Sequence, residues 1–349
     1  MKILQVGSGL HGWAGIEKYI LFLDQGLSEK GHEVTVSVSP NTPLAAAMSS
    51  SRVEIPVRNK FDLPALAAYL RLFRARQFDL IHTHYNPDFI VVAWAAKLAG
   101  KTPLVMTRHV ALPWPWLKAK NFSRLYDRII PVSDASKKRL LESGVPDDRM
   151  RVAKAGCPPL EVSKSREAIR QEMGLDSGFH FGFFGRLAPE KGLKVLLEGA
   201  QGLPNGATLH IYGDGPLKPL VQAAADASPN IRYHGFRTDV SDCMTGMDAI
   251  VIPSIWEEAF PYSALEAMSV GRPIVASNIG GLPELVQHKV NGLLYQPGDC
   301  DALSSALTEL ASDRENASRL GIQGQVIQRR EYTIERMADR IEAVYNELV

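Results

Sequence analysis

The chain has 349 residues, more than one hydrophobic core usually organises, and at about 150 residues per domain it is expected to form two domains. Apolar residues make up 45% and charged residues 22%, a globular balance that excludes a disordered chain. The net charge of +1 hides an asymmetry: residues 1–165 carry 23 basic and 14 acidic side chains and the remainder 16 and 24, so the basic first half points to an anionic partner.

The opening MKILQVG reads as a first strand and not a signal peptide, because Gly7, Gly9, His11 and Glu17 interrupt any apolar region. An apolar run at 89–96 is far shorter than the roughly 20 residues that cross a bilayer, so no transmembrane segment is expected. Strand-like ILQV, a helical stretch over 15–29 and strand-like EVTVSV come first, followed by DLIHTH, a helix over 88–99 and PLVMT. RIIPVS at 128–133 leads into a helix from near Asp134. After 155–159, where two prolines remove backbone donors, the pattern restarts with FHFGFFG, TLHIYG, NIRYHG, AIVIPS, PIVAS and GLLYQ. This alternation predicts two parallel sheets with covering helices, with a boundary near residue 160 and a last helix over 334–348 that could join either unit. Cys157, Cys243 and Cys300 are odd in number and widely spaced, which fits free thiols in a reducing cytosol and offers no CxxC metal site.

Residues 7–12 spell GxGxxG between a strand and a helix, but the second strand ends in Ser37, Val38 and Ser39 without the acid a dinucleotide ribose requires. The helix start at Gly15 still offers open N–H groups to an anion, unless the segment is only a tight turn. His82, His84 and His109 fall at strand ends; His82 and His84 are expected on opposite faces, unable to share a zinc ion, and only His109, beside Arg108, is read as functional. In the second half Arg186 and Lys191 place two cations across a strand-to-helix loop, enough to balance a diphosphate without a metal. Glu258 and Glu266 stand around a helix start with seven residues between them. With Pro261 as a first helical residue, the N–H groups of Tyr262, Ser263 and Ala264 would be open to phosphate; Glu266, one turn further in, would meet a ribose, and Glu258 a sugar. Asp299-Cys300-Asp301 reads as a helix cap and not as a metal-binding DxD.

GRLAPEKG at 185–192, YGDGPL at 212–217, VIPSIWEEAF at 251–260, LEAMSVGRPIVAS at 265–277, GGLPELV at 280–286 and NGLLYQPGD at 291–299 together resemble the GT4 family of retaining glycosyltransferases. GHEVTV, DLIHTH, MTRH and PVSDASKKRL are similar to the family's first half, so the likeness runs over nearly the whole chain. It implies a GT-B fold, an α/β architecture of two Rossmann-like domains facing each other across a cleft: 1–160 for the acceptor, with 334–349 packing back on it, and 161–333 for a nucleotide sugar. It further implies that Arg186 and Lys191 hold the diphosphate, Glu266 the ribose, Glu258 the transferred sugar, and His109 the sugar near its reacting carbon, with Gly15 approaching the phosphate. Two positions depart from the family pattern: Ala14-Gly15 replaces paired glycines, and Pro261 replaces a glycine and its donor. Residues Arg232 to Phe236 and Asp239 fall where the base should bind, with Phe236 and Asp239 the named contacts, and a UDP-sugar is favoured over a GDP-sugar. Retention, no metal, no cofactor and no nucleic-acid partner are expected. A nucleotide-sugar epimerase of the same fold and a non-catalytic nucleotide-sugar-binding protein remain as alternatives.

The acceptor is expected to be a glycan or glycolipid, in lipopolysaccharide or other cell-surface polysaccharide synthesis. Trp114 and Trp116 beside Lys118 and Lys120 suggest contact with such an acceptor or with the anionic surface of the cytoplasmic membrane, unless both tryptophans pack inside.

Overall fold

A computed structural model describes residues 1–9, 12–48, 51–100 and 102–349, so Leu10 and His11 of the glycine-rich loop lie outside the described residues. Contacts divide the chain into Met1–Gly156 joined by Ile334–Val349, and Cys157–Thr333. The first unit carries 24 basic and 17 acidic side chains and the second 15 and 21, so the final helix softens the asymmetry without removing it.

In the first unit the β-branched runs become β1 (Lys2–Val6), β2 (Glu33–Val38), β3 (Ser51–Glu54), β4 (Leu80–Thr83), β5 (Leu104–Arg108) and β6 (Arg128–Pro131). They pair in parallel in the order β3-β2-β1-β4-β5-β6, a doubly wound sheet whose order reverses beside β1. Leu4, Val6, Ile81 and Met106 face one apolar core with the helices Leu63–Ala75 and Asn86–Ala99. The opposite face meets the helix Gly15–Glu29 and the last helix, Ile334–Tyr345. A Cβ on Gly26 would lie 2.8 Å from Ile334 and 2.9 Å from Ala338, so these two helices touch where only a glycine fits. Lys30 pairs with Asp339 and Glu342, and His32 with Glu342.

The second unit holds β7 (Phe179–Phe184), β8 (Ala207–Tyr212), β9 (Ile231–Gly235), β10 (Ala249–Ile252), β11 (Ile274–Ser277) and β12 (Gly292–Tyr295). Their order, β12-β11-β10-β7-β8-β9, repeats the winding of the first sheet. Phe179, Phe181, Phe183, Leu209 and Ile211 alternate onto one core face. His180, His210 and Tyr212 therefore point to the other.

Candidate active site

The carboxyl ends of β7 and β10 carry the loops with the predicted cations and carboxylates. After β7 the chain passes Arg186 and a short turn, Pro189–Lys191, into the helix Leu193–Gly199. Gly192 joins turn to helix at φ +71°, and a Cβ there would sit 1.8 Å from the carbonyl oxygen of Pro253, so glycine is required for the two loops to meet. Ile255 N–H donates to the Glu190 carbonyl at 3.1 Å across the same junction. As a result Lys191 Nζ reaches Glu258 Oε1 at 2.5 Å, and Ser254 Oγ donates to that oxygen at 2.8 Å. Arg186, largely exposed, pairs with Glu190 at 2.5 Å. Each cation thus already holds a carboxylate, and an incoming diphosphate would have to exchange with it.

Glu258 is fixed from behind by residues that the sequence reading did not single out. Gly281 N–H donates to the Glu258 carbonyl at 2.7 Å. Gly280, at φ +59°, would place a Cβ 2.4 Å from that carbonyl oxygen, and Ser254 supplies the side-chain bond. The paired glycines of GGLPELV were the available signal, because adjacent glycines after a strand mark close backbone approach.

The helix Tyr262–Ser269 begins one residue later than expected, with Pro261 just outside it. Pro261 then leaves its carbonyl available to the first turn, and Ala264 N–H donates to it at 3.1 Å. This removes Ala264 from the expected phosphate donors and leaves Tyr262 and Ser263 as the candidates at that end. Glu266 lies in the second turn and is buried. Phe236 is 73% exposed just after β9, and Asp239 is held by Arg237 through bonds of 2.8 and 2.5 Å, which keep its carboxyl below the usual carboxylate range. Asp299 caps the helix Cys300–Ser312 by accepting from Ala302 N–H at 2.8 Å. Among the described residues no group of three or more His, Cys, Asp or Glu side chains is placed to hold a metal.

In the first unit His109 follows β5 and packs edge-on against Tyr19 with ring centres 4.5 Å apart. Burial, and then the charge of Arg108, lower its pKa to about 3, so it is a neutral hydrogen-bonding ring and not a cation. Its Nε2 and both ring nitrogens of His84 are buried without a protein partner. His82 and His84 do not diverge as expected: residues two apart in an extended chain share a face, and their ring centres are 4.1 Å apart. His82 is committed elsewhere, to Tyr345 Oη and Thr107 Oγ1 at 2.6 Å each.

Gly15 is exposed at the first turn of its helix, but Glu17 accepts from Ala14 N–H at 2.9 Å and places a negative charge where an anion would approach. Asp88, absent from the sequence reading, is fully buried in the first turn of the helix Asn86–Ala99; it accepts from Gly9 N–H at 3.2 Å, and burial pushes its pKa up to about 7. Trp114 corrects the expected surface patch. Only 5% exposed, it packs on Phe122 beneath Arg108 and Lys118, because its segment folds back onto the core before the helix Trp116–Leu125 begins. Trp116 is 62% exposed with Lys120 over its ring, and Leu117 is exposed beside it.

Two doubly wound sheets, each gathering polar loops at its carboxyl edge, place the chain among two-sheet α/β proteins. Its fold is GT-B: the structure of Anabaena Alr3699/HepE, solved in complex with UDP, aligns over 100% of both chains at TM-score 0.87 and 22% identity. The model for "Glycosyltransferase Family 4" matches residues 13–158 and that for "Glycosyl transferases group 1" matches residues 178–313. The chain belongs to this glycosyltransferase family and is a glycosyltransferase. Similar proteins include the UDP-Gal:alpha-D-GlcNAc-diphosphoundecaprenol alpha-1,3-galactosyltransferase of Escherichia coli, 27% identical over 82% of this chain and 80% of the relative. A D-inositol 3-phosphate glycosyltransferase of Mycobacterium marinum is 28% identical over 94% of this chain and 78% of its own length. No helix among the described residues is long and apolar enough to cross a membrane.

Proposed function

We propose that the protein moves a sugar from a UDP-sugar to a hydroxyl of a glycan or glycolipid, with retention of anomeric configuration and without a metal or cofactor. The observation that carries this reading is the Lys191–Glu258 contact at 2.5 Å, which joins a cation and a carboxylate from two loops beside the start of the helix Tyr262–Ser269. Lys191 and Arg186 take the two phosphates, exchanging their present carboxylates for stronger anions, and the helix start adds backbone donors. Glu258, released from Lys191, faces the sugar hydroxyls, and Glu266 the ribose. Phe236 and Asp239 stay with the base, and Gly15 is the weakest of the phosphate contacts because Glu17 opposes an anion there. As the bond from the anomeric carbon to the diphosphate oxygen breaks, charge grows on the leaving diphosphate, and fixed cations and donors stabilise it. The acceptor oxygen then bonds to that carbon, and its proton passes to a phosphate oxygen. Neutral His109 donates or accepts a hydrogen bond at the sugar. UDP is preferred as the carrier because the E. coli relative is named for a UDP donor and HepE was solved with UDP-glucose.

For the acceptor, the E. coli relative's lipid-linked substrate and the first unit's excess of basic residues support a phosphorylated glycolipid in cell-surface polysaccharide synthesis. The exposed pair Trp116 and Leu117, with Lys118 and Lys120, provides the peripheral contact with a cytoplasmic membrane face. A panel of UDP, GDP, ADP and their sugars, followed by thermal shift and product separation, tests the proposal. UDP-sugars should raise the melting temperature most and release UDP only with an acceptor. Isomerised nucleotide sugar formed without any acceptor would instead identify an epimerase.

A further inference from the structure

The amino edge of the second sheet, opposite the edge that carries Arg186 and Lys191, gathers four arginines that the transfer chemistry does not use. Asp248 stands just before β10, and its side chain is only 9% exposed. Its Oδ1 accepts from Arg166 Nη2 at 2.6 Å, and Arg170 Nη1 lies 3.2 Å from both carboxylate oxygens. Arg314 Nη1 stands 3.8 Å from Oδ1, and the His180 N–H donates to Oδ2 at 2.8 Å. The fourth guanidinium, that of Arg272, meets the residue before Asp248: Arg272 Nη1 and Arg166 Nη2 both donate to the Met247 carbonyl, at 3.4 and 3.2 Å. Arg166 and Arg170 belong to the helix Arg166–Glu172, Arg272 precedes β11, and Arg314 opens the helix Arg314–Glu331. Three distant stretches of chain thus converge on two adjacent residues.

The charges in this cluster do not balance. Burial alone would raise the pKa of Asp248, yet the His180 N–H and the guanidiniums of Arg170 and Arg166 hold it below the usual carboxylate range. The second carboxylate within reach, Asp176, is 78% exposed and already engaged, accepting from Gly178 N–H at 2.7 Å and lying 3.2 Å from His180 Nε2. Four guanidiniums against two carboxylates leave two positive charges. Burial, and then the charge of Arg166, lower the pKa of Arg272 to about 10, so its charged form is short of a counter-ion.

Donors are left over as well, since a guanidinium carries five N–H bonds. Arg166 spends Nε on the Thr245 carbonyl at 3.2 Å and Nη2 on Met247 and Asp248, which leaves Nη1. Arg272 spends Nε on the Val270 carbonyl at 3.1 Å and Nη1 on Met247, which leaves Nη2. Arg314 spends Nη2 on the Ser177 carbonyl at 2.7 Å, which leaves Nε and Nη1 without a hydrogen bond among the described residues.

We propose that this cluster binds a compact oxyanion of charge −2, a phosphate or a phosphate monoester, through the N–H groups that Arg166, Arg272 and Arg314 leave unused. Two charges on the ligand match the two left over, and the planar fork of a guanidinium suits an edge of two oxygens. The site is distinct from the diphosphate site, because the four residues of β10, at about 3.3 Å each, set Asp248 about 13 Å from the loop that carries Ser254 and Glu258. It does not rest on the transferase reading. By tying together the starts of two helices and the loop before β11, the anion stabilises the second unit by mass action.

Calorimetry and thermal melts with inorganic phosphate, compared with chloride at the same ionic strength, test the site. The full chain is used with Arg186→Ala and Lys191→Ala combined, so that the cations of the other edge cannot answer for it. Phosphate should still bind and raise the melting temperature above that in chloride. Adding Arg272→Gln or Arg314→Gln should weaken phosphate about tenfold each. Arg314 is half exposed and makes one hydrogen bond, so Arg314→Gln should melt in chloride where its parent does and decides the matter if Arg272→Gln fails to fold. Phosphate that does no more than chloride, or that binds as well in the Arg314→Gln protein, would overturn the proposal. Glucose 1-phosphate separates the two sources of the ligand: displacement of phosphate assigns the site to monoesters, and no displacement assigns it to the free ion.

Discussion

At the carboxyl edge of the second sheet the cations are already paired, Arg186 with Glu190 and Lys191 with Glu258, whereas the same edge of the first sheet holds the neutral rings of His84 and His109, with ring nitrogens that meet no protein partner. The first arrangement binds by exchange: a diphosphate must offer each cation more than its present carboxylate does. The second binds by completion, because a neutral polar ligand gives buried donors and acceptors the partners they lack, each worth about 1–3 kcal/mol when left unmet. On the proposed reading the nucleotide diphosphate goes to the edge of the second sheet and the sugar hydroxyls to that of the first.

The contrast can be broken first at His109. If it serves the sugar as a neutral hydrogen-bonding group, His109→Ala should lower turnover about 100-fold or more and change UDP affinity little, as separate kinetic and binding measurements would show. Equal losses in both would place it at the nucleotide instead.

Asp88 offers a stability test of the neutral edge. Its folded pKa near 7 lies above the ordinary carboxyl value of 3.8, so the folded state favours the protonated form and the stability Asp88 contributes is lost as pH rises toward 7. Asp88→Asn, which removes the buried charge and keeps an acceptor for Gly9, should therefore stabilise the protein by roughly 2–4 kcal/mol above pH 7. The gain should shrink below pH 7 and vanish near pH 4 in thermal melts; a gain that did not vary with pH would contradict the burial argument.

At the paired edge the two cations should differ. Lys191→Ala removes a half-buried charge-assisted contact and should weaken UDP by about 1.5–3 kcal/mol, while Arg186→Ala, from an exposed pair, should cost less. Calorimetry on both variants sharpens the comparison, and a larger loss at Arg186 would reverse the ranking. The smallest effect concerns the surface: Trp116→Ala should change stability by less than about 1 kcal/mol while reducing sedimentation with anionic vesicles, and salt should reduce it further. Binding that is the same for neutral and anionic vesicles would remove the membrane contact.

The fold was legible because its signals were local. Runs such as EVTVSV and AIVIPS announce strands by composition, and their alternation with helical stretches requires parallel pairing. In the proposed site, Arg186, Lys191 and Glu258 were singled out in loops between strand and helix and Glu266 in the helix that follows, with roles taken from the family resemblance. What could not be read was what each group already touches. Nothing in the order of residues joins Lys191 to Glu258, since that contact depends on Gly192 passing the carbonyl of Pro253. Trp114 and Trp116 are two residues apart in an aromatic, basic segment, and only the fold sends one into the core. Ala264 looked open until Pro261 stepped outside its helix and took the N–H back. The opposite-face reading of His82 and His84 failed for a simpler reason, because residues two apart in a strand point the same way.

Transfer from a UDP-sugar in saturating EDTA, with the anomeric configuration of the product read by NMR, tests the central claim most directly. Undiminished transfer with the donor's configuration kept is the predicted result. Activity abolished by EDTA and restored by Mg²⁺ or Mn²⁺, or a product of inverted configuration, would contradict a site in which Lys191, Arg186 and a helix start alone stabilise the leaving diphosphate.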